Sequence, residues 1–97
     1  MTGSELTLKI VTAEGSRPPV RCGSIHLTLC DDANGRGGGS YGIRPGHAKA
    51  LFALGDGPVT ALSAGQTVLS GRCSGGFATV EQDAVTVVTE RFAPETP

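Results

Sequence analysis

Residues 74–88, with the sequence SGGFATVEQDAVTVV, decide the fold of this chain. Two segments rich in β-branched and aromatic residues, 77–80 and 85–89, lie on either side of the polar turn at residues 81–83. Such side chains favour strands, and a short polar segment between two of these runs is typical of a hairpin. The stretch therefore predicts an antiparallel β-hairpin.

Weaker strand patterns precede this hairpin. Residues 6–13 and 23–30 alternate apolar and polar side chains, as strands with one buried face require. Residues 49–54, 59–62 and 67–73 are shorter candidates, and no segment repeats with the helical period of about 3.6 residues. The predicted fold is all-β, a sandwich of two packed antiparallel sheets of short strands. The inward-facing side chains are predicted to include Leu8, Ile10, Ile25, Leu27, Leu29, Val80, Val85 and Val87.

Length and composition indicate one domain over residues 1–97. A chain of 97 residues with 38% hydrophobic content builds one modest core, which we place at residues 5–93. Residues 14–19 contain two prolines and form a turn, whereas residues 31–39, rich in aspartate, asparagine and glycine, form a flexible loop. Residues 94–97 form a tail. A domain of this size is too small for a multi-step catalytic cleft.

The charge and hydropathy of the chain disfavour two classes of partner. The formal net charge is −1, from 8 basic and 9 acidic residues, so no basic field is available to hold nucleic acid. The longest apolar run, around Ala50 to Leu54, is far too short to cross a bilayer. We therefore expect no nucleic acid partner and no direct membrane insertion.

Three cysteines, an odd number at irregular spacing, do not form a disulfide framework. Cys22, His26 and Cys30 share one face of a strand, but residues four apart on a strand are roughly 13 Å apart, too far for one metal ion. A site that also drew in Cys73 and His47 is the remaining alternative. Half-buried cysteine and histidine are usually packing residues, so we predict no metal site and no cofactor.

Residues 39–48, GSYGIRPGHA, form a second distinctive stretch. Pro45 presets φ for the second position of a turn, and Gly46 can adopt the positive φ that follows in a type II turn. We predict a rigid corner, with Gly42, Pro45 and Gly46 as its structural residues. It displays Tyr41, Arg44 and His47.

The two stretches together resemble the epsilon subunit of bacterial F-type ATP synthases. Residues 39–48 resemble the family signature G-x-x-G-I-x-P-G-H-A, and residues 74–88 resemble its S-G-G-F-x-x-V-x-x-x-x-V-T-V-L hairpin, with Val88 in place of leucine. The resemblance implies a non-catalytic central-stalk subunit that binds the gamma subunit and the membrane-embedded c-ring. It also implies a peripheral location at the cytoplasmic face of the bacterial inner membrane.

The resemblance also implies roles for individual residues. The c-ring-facing turn falls on Gly39, Ser40 and Tyr41, and Ser40 stands where the family often has an acidic residue. Asp31 or Asp32 is a possible substitute for that charge. The gamma-facing residues are His47, Ala48, Ala50 and Phe52, with Phe52 as an exposed anchor. Family members commonly continue into a C-terminal helical hairpin that inhibits ATP hydrolysis, and we expect that hairpin to be absent here.

Other classes of function remain open on the sequence. A free-standing small β-sandwich binding module with a glycine-rich ligand loop is the main alternative. A small enzyme using Ser40 or Cys73 ranks last, because Ser40 within Gly-x-Ser-x-Gly lacks the strand, helix, acid and later histidine that a nucleophile elbow needs. His47 fits a hydrogen-bonded interface residue better than a titrating switch, because no carboxylate is near it in sequence.

Overall fold

The structure, a computed structural model, describes residues 5–30 and 37–95. Those residues form eleven strands and no helix, so none of them belongs to a helix that could span a membrane. The strands are β1 (Leu6–Thr12), β2 (Gly15–Ser16), β3 (Val20–Cys22), β4 (Ser24–Cys30), β5 (Gly37–Ile43), β6 (Ala50–Leu54), β7 (Gly57–Ser63), β8 (Gln66–Cys73), β9 (Gly76–Glu81), β10 (Ala84–Val88) and β11 (Phe92–Pro94). The all-β prediction is confirmed.

The strands are joined in one hydrogen-bonded path, in the order β11-β8-β7-β4-β6-β9-β10-β1-β2, with β3 on β1 and β5 on β4. Buried side chains from strands far apart along this path form one cluster, so the sheet curls around a shared core. A division into two facing sheets stays a prediction. The wholly antiparallel prediction is wrong, because β1 and β10 pair in parallel. No hairpin joins these two strands, so nothing in the chain enforces an antiparallel pairing.

Seven of the eight predicted inward-facing side chains are fully buried, and the eighth, Leu29, is half-buried against the core. Alternation along β1, β4 and β10 therefore identified the core correctly. The other members of the buried hydrophobic cluster are Leu6, Cys22, Ile43, Leu54, Val59, Ala61, Cys73 and Ala78.

The predicted C-terminal hairpin is confirmed as β9 and β10. Its two turn residues, Gln82 and Asp83, have φ values of 51° and 63°, as a type I′ turn requires. At its other end, Gly76 has a φ of 106°, and a Cβ atom there would overlap the carbonyl oxygen of Val88. Glycine is therefore required at the start of β9.

Several predicted loops contain strands. Residues 14–19 include β2, which pairs with β1. Residues 57 and 58, between the predicted strands at 49–54 and 59–62, belong to β7. Residues 37–39 belong to β5, and residues 31–36 of the predicted loop lie outside the described residues. Glycine and proline predicted breaks at these positions, but pairing with a neighbouring strand decides the outcome.

Candidate interaction surface at the glycine corner

The corner between β5 and β6 is built on a tight turn. The amide of His47 donates to the carbonyl oxygen of Arg44 at 3.2 Å, and Gly46 has the positive φ, 86°, expected of a type II turn after Pro45. Gly42 does not belong to this turn, because it lies in β5 opposite His26. The turn leads into β6, which pairs with β9 and, at Leu54, with Leu29 of β4.

Three ring side chains pack together at this corner, and we call Tyr41, His47 and Phe52 the corner cluster. The rings of Tyr41 and Phe52 have centroids 4.7 Å apart, and the imidazole of His47 lies edge-on to both rings at 5.8 and 5.9 Å. The Tyr41 hydroxyl is 2.8 Å from His47 Nε2. All three side chains are half-buried, so the cluster is a packed unit.

The hydrogen bonds of His47 define its tautomer. His47 Nδ1 lies 2.7 Å from the carbonyl oxygen of Ala48, which can only accept, so Nδ1 carries the proton. In neutral His47, Nε2 is then an acceptor and receives the hydroxyl hydrogen of Tyr41. Both ring nitrogens are engaged, which fixes the orientation of the imidazole.

A second contact joins the corner to the β9–β10 hairpin. The amide of Gly46 donates to Asp83 Oδ1 at 2.8 Å, across 37 positions of sequence. Lys49 and Glu81 add an ion pair at 3.9 Å, but both side chains are mostly exposed, so the pair contributes little. The two distinctive stretches of the sequence therefore meet at one place in the fold.

The predicted gamma-facing residues divide into two groups. Ala48 is exposed, whereas Ala50 and Phe52 are half-buried and point toward the core, with Phe52 opposite Ala78. The expectation of an exposed Phe52 is not met. The exposed side chains of β6 are Leu51, with 69% of its surface accessible, and Ala53. Alternation back from the buried Leu54 would have assigned these directions correctly.

Leu51 lies opposite Thr79, on the same side of the sheet as a row of apolar side chains, and we call this side the outer face. Across four strands, Ala53 pairs with Phe77, Phe77 with Val88, and Val88 with Val11, so their side chains line one side of the sheet. Phe77 is 44% exposed. Large exposed apolar side chains gathered on one sheet face are typical of a protein interaction site.

The predicted c-ring-facing residues lie in β5. Gly39 and Ser40 are exposed and face Leu29 and Thr28 of β4, whereas Tyr41 is half-buried and contacts the corner cluster. Tyr41 is therefore engaged within its own chain through its ring and through its hydroxyl. Asp31 and Asp32, the possible acidic substitutes, lie outside the described residues.

The residues considered for catalysis or metal binding do not come together. Cys22 lies in β3 and is buried, whereas His26 lies in β4 and is exposed, so the single strand face predicted for Cys22, His26 and Cys30 is wrong. Burial raises the pKa of the Cys22 and Cys73 thiols, with Glu5 adding to the shift at Cys22 and a hydrogen bond to Thr89 opposing it at Cys73. Within residues 5–30 and 37–95, no three histidine, cysteine, aspartate or glutamate side chains are placed to hold a metal ion.

Sequence comparison identifies one family whose sequence model covers both the corner and the hairpin. The sequence model of the family described as "ATP synthase, Delta/Epsilon chain, beta-sandwich domain" matches residues 32–95, more than half of the chain. The chain belongs to this family. The matched range of the delta/epsilon domain contains both the glycine corner and the hairpin, so the predicted resemblance is confirmed. Among curated protein sequences, none matches this chain significantly.

Solved structures with the same fold come from mitochondrial assemblies. A chain of the Euglena gracilis mitochondrial ATP synthase, in a structure containing OSCP, F1 and the c-ring, superposes with a TM-score of 0.77 at 18% identity, over 97% of this delta/epsilon chain and 56% of the Euglena chain. A chain of the Tetrahymena thermophila mitochondrial ATP synthase central stalk and c-ring has a TM-score of 0.67 at 12% identity, over 95% and 68% of the two chains. This chain therefore spans little more than half the length of the Euglena chain.

Proposed function

We propose that this chain is the β-sandwich part of a central-stalk epsilon-type subunit of an F-type ATP synthase. In this role it couples ion-driven rotation of the c-ring to the catalytic head by binding the gamma subunit and the c-ring. The supporting observation is that the family match covers both distinctive stretches, which are joined in the fold by the bond from Gly46 to Asp83.

The proposed role is mechanical and non-catalytic, and it needs no cofactor. A coupling part must deform little under load, and close-packed protein interiors have low compressibility. Here one continuous cluster of buried side chains fills the curled sheet. The corner cluster and the Asp83 contact extend that stiffness to the surface where we place the partners.

We place the gamma subunit against the outer face and the exposed part of the corner. His47 and Ala48 form one border of this surface, and Leu51 is its most exposed anchor. Ala50 and Phe52 support the surface from the core side. The proposed gamma contact is therefore centred on Leu51 and Phe77.

We place the c-ring against the exposed end of β5, at Gly39, Ser40 and Tyr41. Gly39 and Ser40 are accessible to a partner, and the ring of Tyr41 is held by Phe52 and His47. A contact made here is therefore connected directly to the gamma-facing corner. The complex would hold the chain peripherally on a membrane, and the cytoplasmic face of the bacterial inner membrane stays our prediction for the compartment.

Binding to the purified cognate gamma subunit tests this placement. Leu51→Asp puts a charge at the centre of the proposed contact, and we expect affinity for gamma to fall by at least about tenfold, as for a central interface residue. Ala64→Asp is the control, because it adds the same charge in the exposed β7–β8 turn, where a positive φ of 52° suits aspartate.

Circular dichroism and thermal unfolding of both variants would show that the fold is retained. If Leu51→Asp binds gamma as tightly as the unmodified chain does, the outer face is not the gamma contact. If the unmodified chain does not bind gamma at all, the proposed function itself fails, and a free-standing binding module becomes the better interpretation.

A further inference from the structure

A second surface lies away from the corner, where the curled sheet fails to close. Strand β8 pairs with β7 along its length, but β11 covers its other side only at Gly71, Arg72 and Cys73, with one further bond from the Glu95 amide to the carbonyl oxygen of Ser70. Among the described residues, no strand pairs with residues 66–69 on that side. An unpaired strand edge presents amide and carbonyl groups that a further extended segment can bind.

The segment on the other side of this gap does not pair with residues 66–69 either. Residues 17–20 lead into β3, and Pro18 and Pro19 have no amide hydrogen to donate to a ladder. Strand β3 itself pairs only with β1. We call the gap between residues 17–20 and residues 66–69 the seam.

The seam contains an apolar cleft of about 190 Å³. Its walls include Leu8 and Ile10, which are otherwise buried, together with Pro18, Pro19 and the half-buried Leu69. Since an apolar cavity of roughly 150 Å³ can hold a benzene ring, the cleft has room for one aliphatic side chain. Leu69 pairs with the buried Ala61, so a residue opposite Leu69 on an added strand would point into this cleft.

One charged residue lines the cleft, and it is basic. Arg17 donates its amide to the carbonyl oxygen of Ile10 at 2.8 Å, and its guanidinium lies 5.2 Å from the centre of the Phe92 ring. This contact closes the seam at its β11 end. A carboxylate next to the aliphatic side chain of an occupant would therefore face a positive charge.

At the exposed rim, Val68 has no counterpart in the β7–β8 ladder, because the register shifts there and leaves it as the extra residue of a bulge. Its side chain is 44% exposed.

We infer that the seam is a strand-addition site for an extended segment of a partner protein. The segment pairs with residues 66–69, inserts one aliphatic side chain beside Leu69 and places an acidic side chain near Arg17.

The inference can be tested on the full chain with two synthetic peptides. The first is a capped octapeptide of alternating threonine and valine with one glutamate, which supplies an extended backbone, aliphatic side chains and a carboxylate. The second has the same side chains, with alternate backbone nitrogens methylated so that one edge cannot donate hydrogen bonds. Backbone amide NMR spectra and hydrogen exchange are recorded during titration with each.

We expect the first peptide to shift the amide signals of residues 66–69 and to protect the amide of Thr67. Gln66 pairs with Ser63 across the two-residue turn, so the next residue of β8, Thr67, directs its amide away from β7 and toward the open edge. The methylated peptide should bind about tenfold or more weakly, because it lacks the backbone bonds of an added strand. Thr67→Pro removes this edge amide and should weaken binding similarly, whereas Thr67→Val keeps the amide and should bind nearly as well.

Equal binding of both peptides would show that the contact is not strand addition and would overturn the inference. The absence of binding at millimolar peptide would also overturn it. If the Thr67 amide is protected without peptide, the edge is already covered. Protection that grows with protein concentration would identify a second copy as the occupant, and concentration-independent protection would identify the chain itself. Either result excludes the proposed partner segment. The comparison of the two peptides uses the unmodified chain, so it stands even if Thr67→Pro fails to fold.

Discussion

Replacing Tyr41 with phenylalanine removes one hydroxyl group from the corner cluster and keeps its rings. The lost interaction is the 2.8 Å hydrogen bond to His47 Nε2, and an intramolecular hydrogen bond contributes a net of about 0.5–1.5 kcal/mol to stability. The ring of residue 41 still packs 4.7 Å from Phe52, so no cavity cost is added. We expect the free energy of unfolding to fall by about 1 kcal/mol, equivalent to about 4–8 °C in Tm for a domain of this size.

Urea denaturation of Tyr41→Phe, His47→Ala and the double variant measures this interaction as a coupling energy. Because the hydroxyl acts through His47, Tyr41→Phe should cost much less in the His47→Ala background. In the unmodified chain, nitrogen chemical shifts of the imidazole should identify the tautomer with the proton on Nδ1. An equal cost of Tyr41→Phe in both backgrounds, or a proton on Nε2 in neutral His47, would refute the reasoning.

Three further expectations concern the fold. Leu27→Ala should lower the free energy of unfolding by about 2–5 kcal/mol, whereas Leu51→Ala, at an exposed site on β6, should change it little, as denaturant titration would show. Gly76→Ala should abolish or strongly weaken folding, visible by circular dichroism, because its Cβ would overlap the carbonyl oxygen of Val88. Burial holds the pKa of Cys73 above its ordinary value of 9.0, so on raising the pH the unfolded chain loses the thiol proton before the folded chain does. The free energy of unfolding should therefore fall as pH rises above about 9. In denaturant titrations at several pH values, Cys73→Ala should lack this part of the pH dependence.

The strands with one buried face could be predicted from the sequence. Alternation is a local signal, and in β1, β4 and β10 it coincides with burial, so Leu8, Ile25 and Val87 were assigned correctly. The β9–β10 hairpin was also predictable, because its polar turn separates two strongly strand-favouring runs. These features depend on neighbours in sequence, which the sequence displays directly.

The strands that depend on distant partners could not be predicted in this way. Strand β5 contains glycines at residues 37–39 and lacks strand-favouring side chains there, but β4 supplies its hydrogen bonds. The parallel pairing of β1 with β10 joins strands near opposite ends of the chain. Both follow from the closure of the whole sheet, for which a local pattern carries no information.

At the candidate site, the sequence identified the corner residues but not their environment. The turn at Pro45 and Gly46 could be predicted, since each of these residues has known φ preferences. The hydrogen bond from Gly46 to Asp83 could not be predicted, because it joins two stretches that are far apart in sequence. The inward direction of Phe52 was missed because residues 49–54 are uniformly apolar apart from Lys49, which hides their alternation.

Recovery of the chain from native membranes tests the central proposal most directly. A tagged copy expressed in its own organism would be purified in mild detergent, and its partners would be identified by mass spectrometry. We expect the gamma subunit and the c-ring subunits of an ATP synthase to be recovered together with the chain in a fixed stoichiometry, and Leu51→Asp to reduce their yield while Ala64→Asp does not. Recovery of a stable complex that contains no ATP synthase subunit would contradict the proposed role in the central stalk.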